Sequence, residues 1–574
     1  MAAALALAAC GGGGGGDNAA ANEPPPAAVE KPATREEAAR FLAQATFGPT
    51  DADIDRVMAL GYGPWIDEQF ALPRSATHRA HWEARDAEIR AADPTREAGQ
   101  DQVFETFWKQ AVSAPDQLRQ RSAYALSQIF VISMVDSVVG DNERAVAAWL
   151  DMLADQGFGR YRELLESVSR HPMMGIYLSH LRNQKANPAT GRVPDENYAR
   201  EVIQLFSIGL VELNEDGSAR LAGSEPIETY GPADISGLAK VFTGFSWACP
   251  AFPASACFNN GSSNGQSDPD RAFKPMVGYP AFHATEAKTF LGTTIAAQTT
   301  ADPDASLRTA LDAIAAHPNV GPFIGRQLIQ RLVTSNPSPE YVRAVARAFA
   351  DNGAGVRGDL RAVIKTVLLH PEARQRSDSA GKLREPVLRL AAFLRAFGFR
   401  SDSGHFRVGN TDNPGTSLGQ TPLRSPSVFN FYRPGYVPPG TLSAARNLVV
   451  PEMQLASETT AAGYVNFMRD GIAAGFGQGN GAPFNRRDLQ GDFAAELALA
   501  TDPAALVDRV AGKLTYGGAG AALKTEISNA VASIVIPALN STGSNQAQVD
   551  AAKRSRVNAA LLLVAASPEF IVQK

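Results

Sequence analysis

The stretch from residue 34 to residue 61, TREEAARFLAQATFGPTDADIDRVMALG, indicates the fold class. Thr34 is followed three residues later by Glu37, which is the spacing of a capping box at the start of a helix. Apolar residues then recur at helical spacing until a Gly-Pro pair ends the segment. Thr50 and Asp53 repeat the start signal, and a second apolar stripe ends at a glycine. The stretch therefore predicts two consecutive amphipathic helices.

The same pattern of start signals and apolar stripes continues along the chain, and strand-like alternation is scarce. We therefore predict an all-α fold, a large multi-helix body with long irregular loops. Its helices are expected at 143–155, 160–170, 196–213, 306–316, 320–334, 339–351, 358–369, 382–397 and 552–566. Several of these helices end in His-Pro, where the proline ends one helix and suits the first turn of the next.

Composition divides the chain into three parts. Residues 1–33 are rich in Gly, Ala and Pro, and predict a lipoprotein signal and a disordered, flexible linker. Residues 34–400 are expected to form the helical main domain, with a loop insertion at 214–295 that is rich in Gly, Pro, Ser and Asn. Residues 401–574 should form an aromatic loop and a C-terminal helical part packed on the same body. Long irregular segments within a compact protein are often functional.

The charge and the hydropathy of the chain argue against two classes of protein. The 574 residues carry a formal net charge of -5 and contain no long block of Lys and Arg, so nucleic acid is not expected as a partner. No apolar run approaches the roughly 18 to 20 residues that a helix needs to span a bilayer. The polypeptide itself is therefore not expected to be an integral membrane protein.

The first ten residues, MAAALALAAC, form a short apolar stretch that ends in Leu7-Ala8-Ala9-Cys10, and six glycines follow it. This arrangement resembles a bacterial lipobox, in which the cysteine receives the lipid. It predicts export, and a lipid anchor at Cys10 on the periplasmic side of a cell-envelope membrane. No Lys or Arg precedes the apolar stretch, so a disordered cytosolic tail stays open as the alternative.

The two other cysteines, Cys249 and Cys257, lie in the insertion and are separated by the seven residues PAFPASA. In an oxidising envelope they are expected to form a disulfide that closes a small loop, and two free thiols are the alternative. Metal binding by this pair alone is disfavoured, because no close Cys or His completes a set of four ligands.

The helix that begins near residue 196 has one polar and one apolar face. Asn197 and Glu201 lie on the polar face, and Glu196 and Arg200 have the i,i+4 spacing of an ion pair. In the functional interpretation, Glu196 or Glu201 is a general base or a ligand, and Asn197 and Arg200 belong to a binding site. In the structural interpretation, this face is solvated or makes structural hydrogen bonds. Spacing alone does not show whether distant segments converge.

Two histidines, His171 and His283, are candidates to lie near this helix and to complete an acid–base or ligand set. The structural alternative is that a His-Pro histidine interacts favourably with the carbonyl end of its helix. No H-E-x-x-H motif or similar compact pattern is present, so the sequence assigns no metal ligand and no cofactor.

An aromatic run around Phe429, Asn430 and Tyr432 is interleaved with prolines. Aromatic rings at this density can stack on a sugar ring or grip a peptide, so these three residues are candidate binding residues. The alternative is a long loop that is pinned to the core.

From Ala38 onward the sequence resembles the bacterial domain-of-unknown-function 1800 family. The matching stretches are AARFLAQATFGPT (38–50), HPMMGIYL (171–178), ENYAREVIQLFSIGL (196–210), LAKVFTGF (238–245), FHATEAKTFLG (282–292), RSPSVFNFY (424–432) and SPEF (567–570). The resemblance implies a secreted helical protein that is often encoded beside a secreted protein of the alkaline-phosphatase type, and it implies no established activity. Where relatives often carry a histidine, this chain has Phe206.

Two functions follow as hypotheses. The first is an exported cell-envelope lipoprotein that binds a partner protein or an envelope polymer through a cleft between the 196 helix and the two long loops. The alternative is a hydrolase acting on an extracellular polymer, with metal assistance as one version.

The lipobox yields a direct prediction about the mature N-terminus. Native protein should begin at a lipid-modified Cys10 and partition with membranes, and Cys10→Ser should release it, because the lipid supplies the membrane affinity. Mass spectrometry of the N-terminus measures this. A native chain that keeps an unmodified Met1 in the cell interior would contradict it.

Overall fold

The computed structural model describes residues 29–375, 380–481 and 483–574. The expected lipid attachment site Cys10 and most of the expected linker lie outside the described residues. The described chain is mainly helical, with only short strands, so the predicted all-α class is confirmed.

The helices up to the end of the insertion have the following bounds: α1 (Arg35–Ala45), α2 (Asp51–Leu60), α3 (Tyr62–Ala71), α4 (His78–Ala92), α5 (Gln100–Ser113), α6 (Gln117–Ser127), α7 (Ser137–Gly140), α8 (Glu143–Gln156), α9 (Tyr161–Arg170), α10 (Pro172–Tyr177), α11 (Asn197–Gln204), α12 (Pro232–Val241) and α13 (Ser255–Asn260). A short 3₁₀ helix follows at Pro280–Phe282.

The later helices are α14 (Pro303–Ala316), α15 (Val320–Leu332), α16 (Pro339–Ala350), α17 (Leu360–Leu369), α18 (Pro371–Arg374), α19 (Pro386–Ala396), α20 (Leu442–Ala445), α21 (Glu458–Ala474), α22 (Ala494–Ala498), α23 (Pro503–Thr515), α24 (Ala521–Ala532), α25 (Gln546–Ala565) and α26 (Pro568–Ile571). A second 3₁₀ helix occupies Pro451–Leu455. None of the described helices is long and apolar enough to cross a membrane.

The strands are short and form small antiparallel sheets. They are β1 (Leu221–Ala222), β2 (Glu225–Pro226), β3 (Phe245–Ser246), β4 (Ser262–Ser263), β5 (Gln266–Ser267), β6 (Val277–Gly278), β7 (Lys288–Phe290), β8 (Thr293–Ile295), β9 (Lys382–Leu383), β10 (Arg400–Ser401), β11 (Phe476–Gly479), β12 (Arg487–Gln490) and β13 (Val572–Gln573). The pairs are β1–β2, β3–β6, β4–β5, β7–β8 and β9–β13, and the sheet of three has the order β10–β12–β11.

One large hydrophobic core contains residues from most of the helices between α1 and α26. It contains Phe41 near the start of the described chain and Phe570 near its end. The connection from α1 to α2 packs closely on α19, because a Cβ atom at Gly48 would lie 2.5 Å from the Cα atom of Ala392. Residues before and after position 400 therefore contribute to the same core.

The predicted start signals form as hydrogen bonds. The Thr50 hydroxyl accepts from the backbone N–H of Asp53, and the Asp53 carboxylate accepts from the N–H of Thr50, which completes the capping box of α2. At α1 the Thr34 hydroxyl accepts from the N–H of Glu37. These bonds satisfy backbone donors that a helix leaves unpaired at its N-terminus.

The His-Pro histidines share one structural role. The Nδ1 atom of His171 accepts from the N–H of Met173 at 3.2 Å, and His317 and His370 accept in the same way from the residue two positions later. His171 and His370 are thereby N-caps of helices with proline in the first turn. Each of these histidines is also the C-cap residue of the preceding helix, so the hydrogen bond to the following residues is a role that the sequence does not predict.

The helix expected at 196–213 is shorter in the structure and ends at Gln204. The chain turns away at Gly209, whose φ is 75°, and a Cβ atom there would lie 2.7 Å from the Phe323 ring. Glycine therefore suits position 209 for two reasons: the backbone is left-handed, and there is no room for a side chain. Periodicity alone overestimated this helix because the apolar stripe continues past the turn.

The insertion at 214–295 contains a small core of its own. Cys257, Phe258 and Tyr279 are buried together, and a disulfide joins Cys257 to Cys249. The Phe258 ring stacks on Phe282 with ring centroids 3.7 Å apart. The insertion is therefore held by local packing and by the cross-link.

Candidate functional site

A cleft of about 470 Å³ opens where the end of α11, the end of α6, α15 and residues 428–435 meet. Gly217 contributes from the insertion, so both long irregular segments reach it. Its apolar lining consists of Ile129, Leu205, Leu210, Val211, Leu213, Phe323, Val428 and Phe429. Leu210 is 58% exposed and Phe429 is 37% exposed, which leaves apolar surface open to a ligand.

The floor of the cleft is polar and incompletely hydrogen-bonded. Gln128, Gln327, Gln330 and Arg331 line it, and all four side chains are buried. Among the described residues, the Nε2 atom of Gln327 and the Nε atom of Arg331 have no hydrogen-bond acceptor, and the Oε1 atoms of Gln128 and Gln330 have no donor. A buried polar atom without a partner costs about 1 to 3 kcal/mol, and these four atoms are closed to solvent, so the fold itself carries this cost.

Beneath this floor lies a network of buried charges. The carbonyl oxygen of Arg331 accepts from the Arg121 guanidinium at 2.5 Å and from the Lys382 ammonium at 2.9 Å. Lys382 also pairs with Glu452 at 2.8 Å. Burial lowers the pKa of Lys382, although the carboxylates of Glu452 and Glu385 act in the opposite direction.

The network connects to the cleft through amide side chains. Gln128 donates to Glu385 at 2.7 Å, and Gln330 donates to the carbonyl oxygens of Ser335 and Pro434. The guanidinium of Arg331 donates to the carbonyl oxygen of Gln128 at 2.8 Å. The residues that line the floor are therefore positioned by the buried charges below them.

Two further arginines stand at the rim. The guanidinium of Arg433 lies 4.7 Å from the centre of the Phe429 ring, a cation–π contact. Arg326 makes no hydrogen bond or ion pair with another described residue, and desolvation by its neighbours lowers the pKa of its guanidinium. No carboxylate belongs to the described lining of the cleft, so Arg326, Arg331 and Arg433 give it a positive charge.

Of the three candidate aromatic-run residues, Phe429 lines the cleft and the other two lie beneath its surface. Asn430 is buried with a φ of 64°, a conformation that asparagine tolerates better than most residues. Tyr432 is buried, and burial together with the nearby Glu385 and Glu452 raises its pKa well above the usual range. Of these three residues, two are thus pinned to the core and Phe429 is exposed.

The candidates on α11 lie beside the cleft, which that helix lines with Gln204 and the following Leu205. Glu196 and Arg200 form the expected ion pair at 3.4 Å, and both side chains are nearly half exposed. Asn197 donates to the hydroxyl of Ser179 at 3.3 Å. Glu201 is buried, its Oε2 atom has no partner in the described chain, and burial raises its pKa despite the lowering effect of Arg200.

The two candidate histidines are separately engaged. His171 caps α10, packs against Trp149 with ring centroids 5.0 Å apart, and has its pKa lowered to about 3 by burial. His283 is fully buried, with Nδ1 2.7 Å from the carbonyl oxygen of Thr243 and Nε2 3.0 Å from the hydroxyl of Ser306. Burial lowers the pKa of His283 to about 4. No hydrogen bond or ion pair in the described residues joins these histidines to Glu196 or Glu201.

Phe206 is a core residue. It is fully buried, and its ring centroid lies 5.5 Å from that of Phe130. This position supplies packing and no titratable group in this chain.

Two further features of the sequence bear on the site. The polar face of α15 consists of Arg326, Gln327, Gln330 and Arg331, but helical spacing does not show that the last three are buried. Residues 415–419, GTSLG, also match the G-x-S-x-G pattern of serine hydrolases. That pattern requires a turn between a strand and a helix, whereas residues 415–419 lie in an irregular segment, and the buried Ser417 hydroxyl has no partner in the described part of the chain.

Comparison with known families gives a match over nearly the whole chain. A family model described as a protein of unknown function (DUF1800) matches residues 40–572. Comparison with curated proteins and with solved structures gives no match.

The raised pKa of Glu201 predicts a pH-dependent effect of Glu201→Gln on stability. The native state holds this proton to a higher pH than the unfolded chain, whose reference pKa is 4.5, so wild-type stability falls as pH rises from that value through the native pKa. The variant lacks this loss. Its free energy of unfolding relative to wild type should therefore be more favourable at about pH 8 than at about pH 4.

Urea unfolding at both pH values measures this difference. Glu196→Gln is the matched control, because it makes the same change at an exposed position next to the same helix. An equal difference between Glu201→Gln and wild type at the two pH values would contradict the burial of an unpaired carboxyl.

Proposed function

We propose that this chain, which belongs to the DUF1800 family of proteins of unknown function, has a binding role in the cell envelope. In this proposal the chain is an exported lipoprotein, anchored by a lipid at Cys10. Its cleft binds a segment of a partner protein that presents an apolar side chain beside a carboxylate. The secreted alkaline-phosphatase-like protein implied by the resemblance is one candidate for the partner.

The observation that carries the proposal is the unpaired cation at the rim of the cleft. Arg326 is exposed and makes no hydrogen bond or ion pair with another described residue, and the described lining contains no carboxylate to accept from it. A carboxylate on the ligand would supply that acceptor, and hydrogen bonds to charged groups are about twice as strong as neutral ones. Arg331 in the floor and Arg433 at the rim add further positive charge.

The shape and the apolar lining favour a polypeptide segment over a polysaccharide. The walls include four aliphatic residues, Leu205, Leu210, Val211 and Leu213, which suit an apolar side chain. Sugar rings are commonly held on aromatic faces, whereas Phe429 already contacts Arg433. A polypeptide also offers backbone N–H and C=O groups to the polar side chains that line the cleft.

The disulfide between Cys249 and Cys257 supports the export part of the proposal. Disulfides persist in oxidising compartments and are rare in the reducing cytosol. The lipobox-like start of the sequence points to the same compartment.

A peptide array tests the binding role. Purified protein is applied to peptides that carry an apolar residue next to Asp or Glu, and to the same peptides with Asn or Gln instead. Acidic peptides should bind more tightly, and Arg326→Glu should weaken their binding by about tenfold, equivalent to about 1.4 kcal/mol. Binding of the amide peptides should change much less, because they carry no charge to be repelled.

Arg96→Glu is the matched control, since it makes the same charge reversal at an exposed position outside the cleft. Equal binding of acidic and amide peptides would contradict the proposed ligand. Binding of an acidic polysaccharide such as polygalacturonate, without binding of any peptide, would show that the ligand is a polysaccharide and not a polypeptide.

A further inference from the structure

Three side chains of the types that bind metals meet outside the cleft. They are His81 on α4, Glu105 on α5 and His405 in the segment after β10. One candidate ligand atom from each lies within 4.8 Å of the other two. The Nε2 atom of His81 is 3.8 Å from the Oε2 atom of Glu105, and the two imidazole centroids are 6.1 Å apart.

The surrounding residues hold these side chains in place. The Glu105 side chain is only 2% exposed, and its two carboxylate oxygens accept from Arg85 at 2.8 Å and from Gln102 at 3.3 Å. The Nε2 atom of His81 is buried and has no hydrogen-bond partner among the described residues. A buried imidazole nitrogen without a partner is available to a ligand.

The segment that carries His405 is fixed by one buried carboxylate. Asp488 on β12 accepts from the N–H groups of Ser403 and Arg407, both at 2.9 Å, and from the Ser401 hydroxyl at 2.7 Å. His405 lies between these anchored residues. Its position is therefore built into the fold, because the backbone on both sides is tied to the same side chain.

The local charge also favours the binding of a cation. Glu88 on α4 lies next to the cluster, with its Oε2 atom 3.5 Å from the Nε2 atom of His405. Arg85 pairs with both Glu88 and Glu105, so two carboxylates share one guanidinium and one negative charge is not balanced within this group. The side chains of His81 and His405 are 12% and 24% exposed, which gives an ion access from solvent.

We propose that His81, Glu105 and His405 form a binding site for a zinc-like divalent cation, with Glu88 adjacent to it. Two imidazoles and one carboxylate suit zinc and similar transition metals, whereas calcium and magnesium prefer sites made of oxygen ligands. Ligand atoms around tetrahedral zinc lie about 3.3 Å apart, so side-chain shifts of about an ångström bring the three together. Three protein ligands leave a fourth position open for Glu88 or water.

The zinc titration uses the full chain after treatment with a chelator. Isothermal titration calorimetry should give about one zinc bound per chain, and His81→Gln and His405→Gln should each weaken zinc binding by more than about tenfold. Zinc should also raise the melting temperature of the wild type and have a smaller effect on either variant, because a ligand that binds only the native state stabilises it.

His370→Gln is the matched control, since it removes a partly buried histidine that caps α18 away from the cluster. It should leave zinc affinity unchanged. The glutamine variants keep a polar side chain of similar size, and circular dichroism of each checks that it is folded. Absence of saturable zinc binding, or unchanged affinity in both cluster variants when they are folded, would overturn the proposal.

Discussion

The pairing of buried charges at the C-terminal end of α15 is the constraint on which the rest of the structure depends. A helix presents unpaired carbonyl groups and a partial negative charge at this end. In this protein the Arg331 carbonyl accepts from both Arg121 and Lys382, and Glu452 and Glu385 balance the cations. Removing one partner from a buried ion pair costs about 3 to 5 kcal/mol, so these contacts fix the elements that carry them.

The same constraint explains why the cleft lies where it does. The network holds α6, α15 and the segment around β9, and β9 pairs with the C-terminal strand β13. Gln573 on β13 donates to the carbonyl oxygen of Leu332, and this hydrogen bond joins the C-terminal strand to the end of α15. Gln330 in turn holds the aromatic loop through the carbonyl of Pro434. Unsatisfied polar atoms can persist below the cleft because the elements around them are held by stronger contacts.

The sequence was sufficient to predict the fold class but only part of the site. Helix start signals depend on contacts between residues that are close in sequence, such as Thr34–Glu37 and Thr50–Asp53. The structure has helices at these positions. The site depends instead on contacts such as that between Arg121 and Arg331, which are 210 positions apart. The cluster of His81, Glu105 and His405 likewise has no compact spacing. Only the fold brings such residues together, so no local pattern could identify them.

Hydrogen-exchange mass spectrometry of full-length Lys382→Met tests the central role of the buried charges most directly. Lys524→Met is its control, because Lys524 pairs with Asp508 at an exposed position. Exchange in Lys382→Met should accelerate together in α15, in residues 380–385 and in residues 428–435, and should change little in α23–α25. Unchanged exchange in these three segments, or an equal acceleration in every helix, would contradict the account.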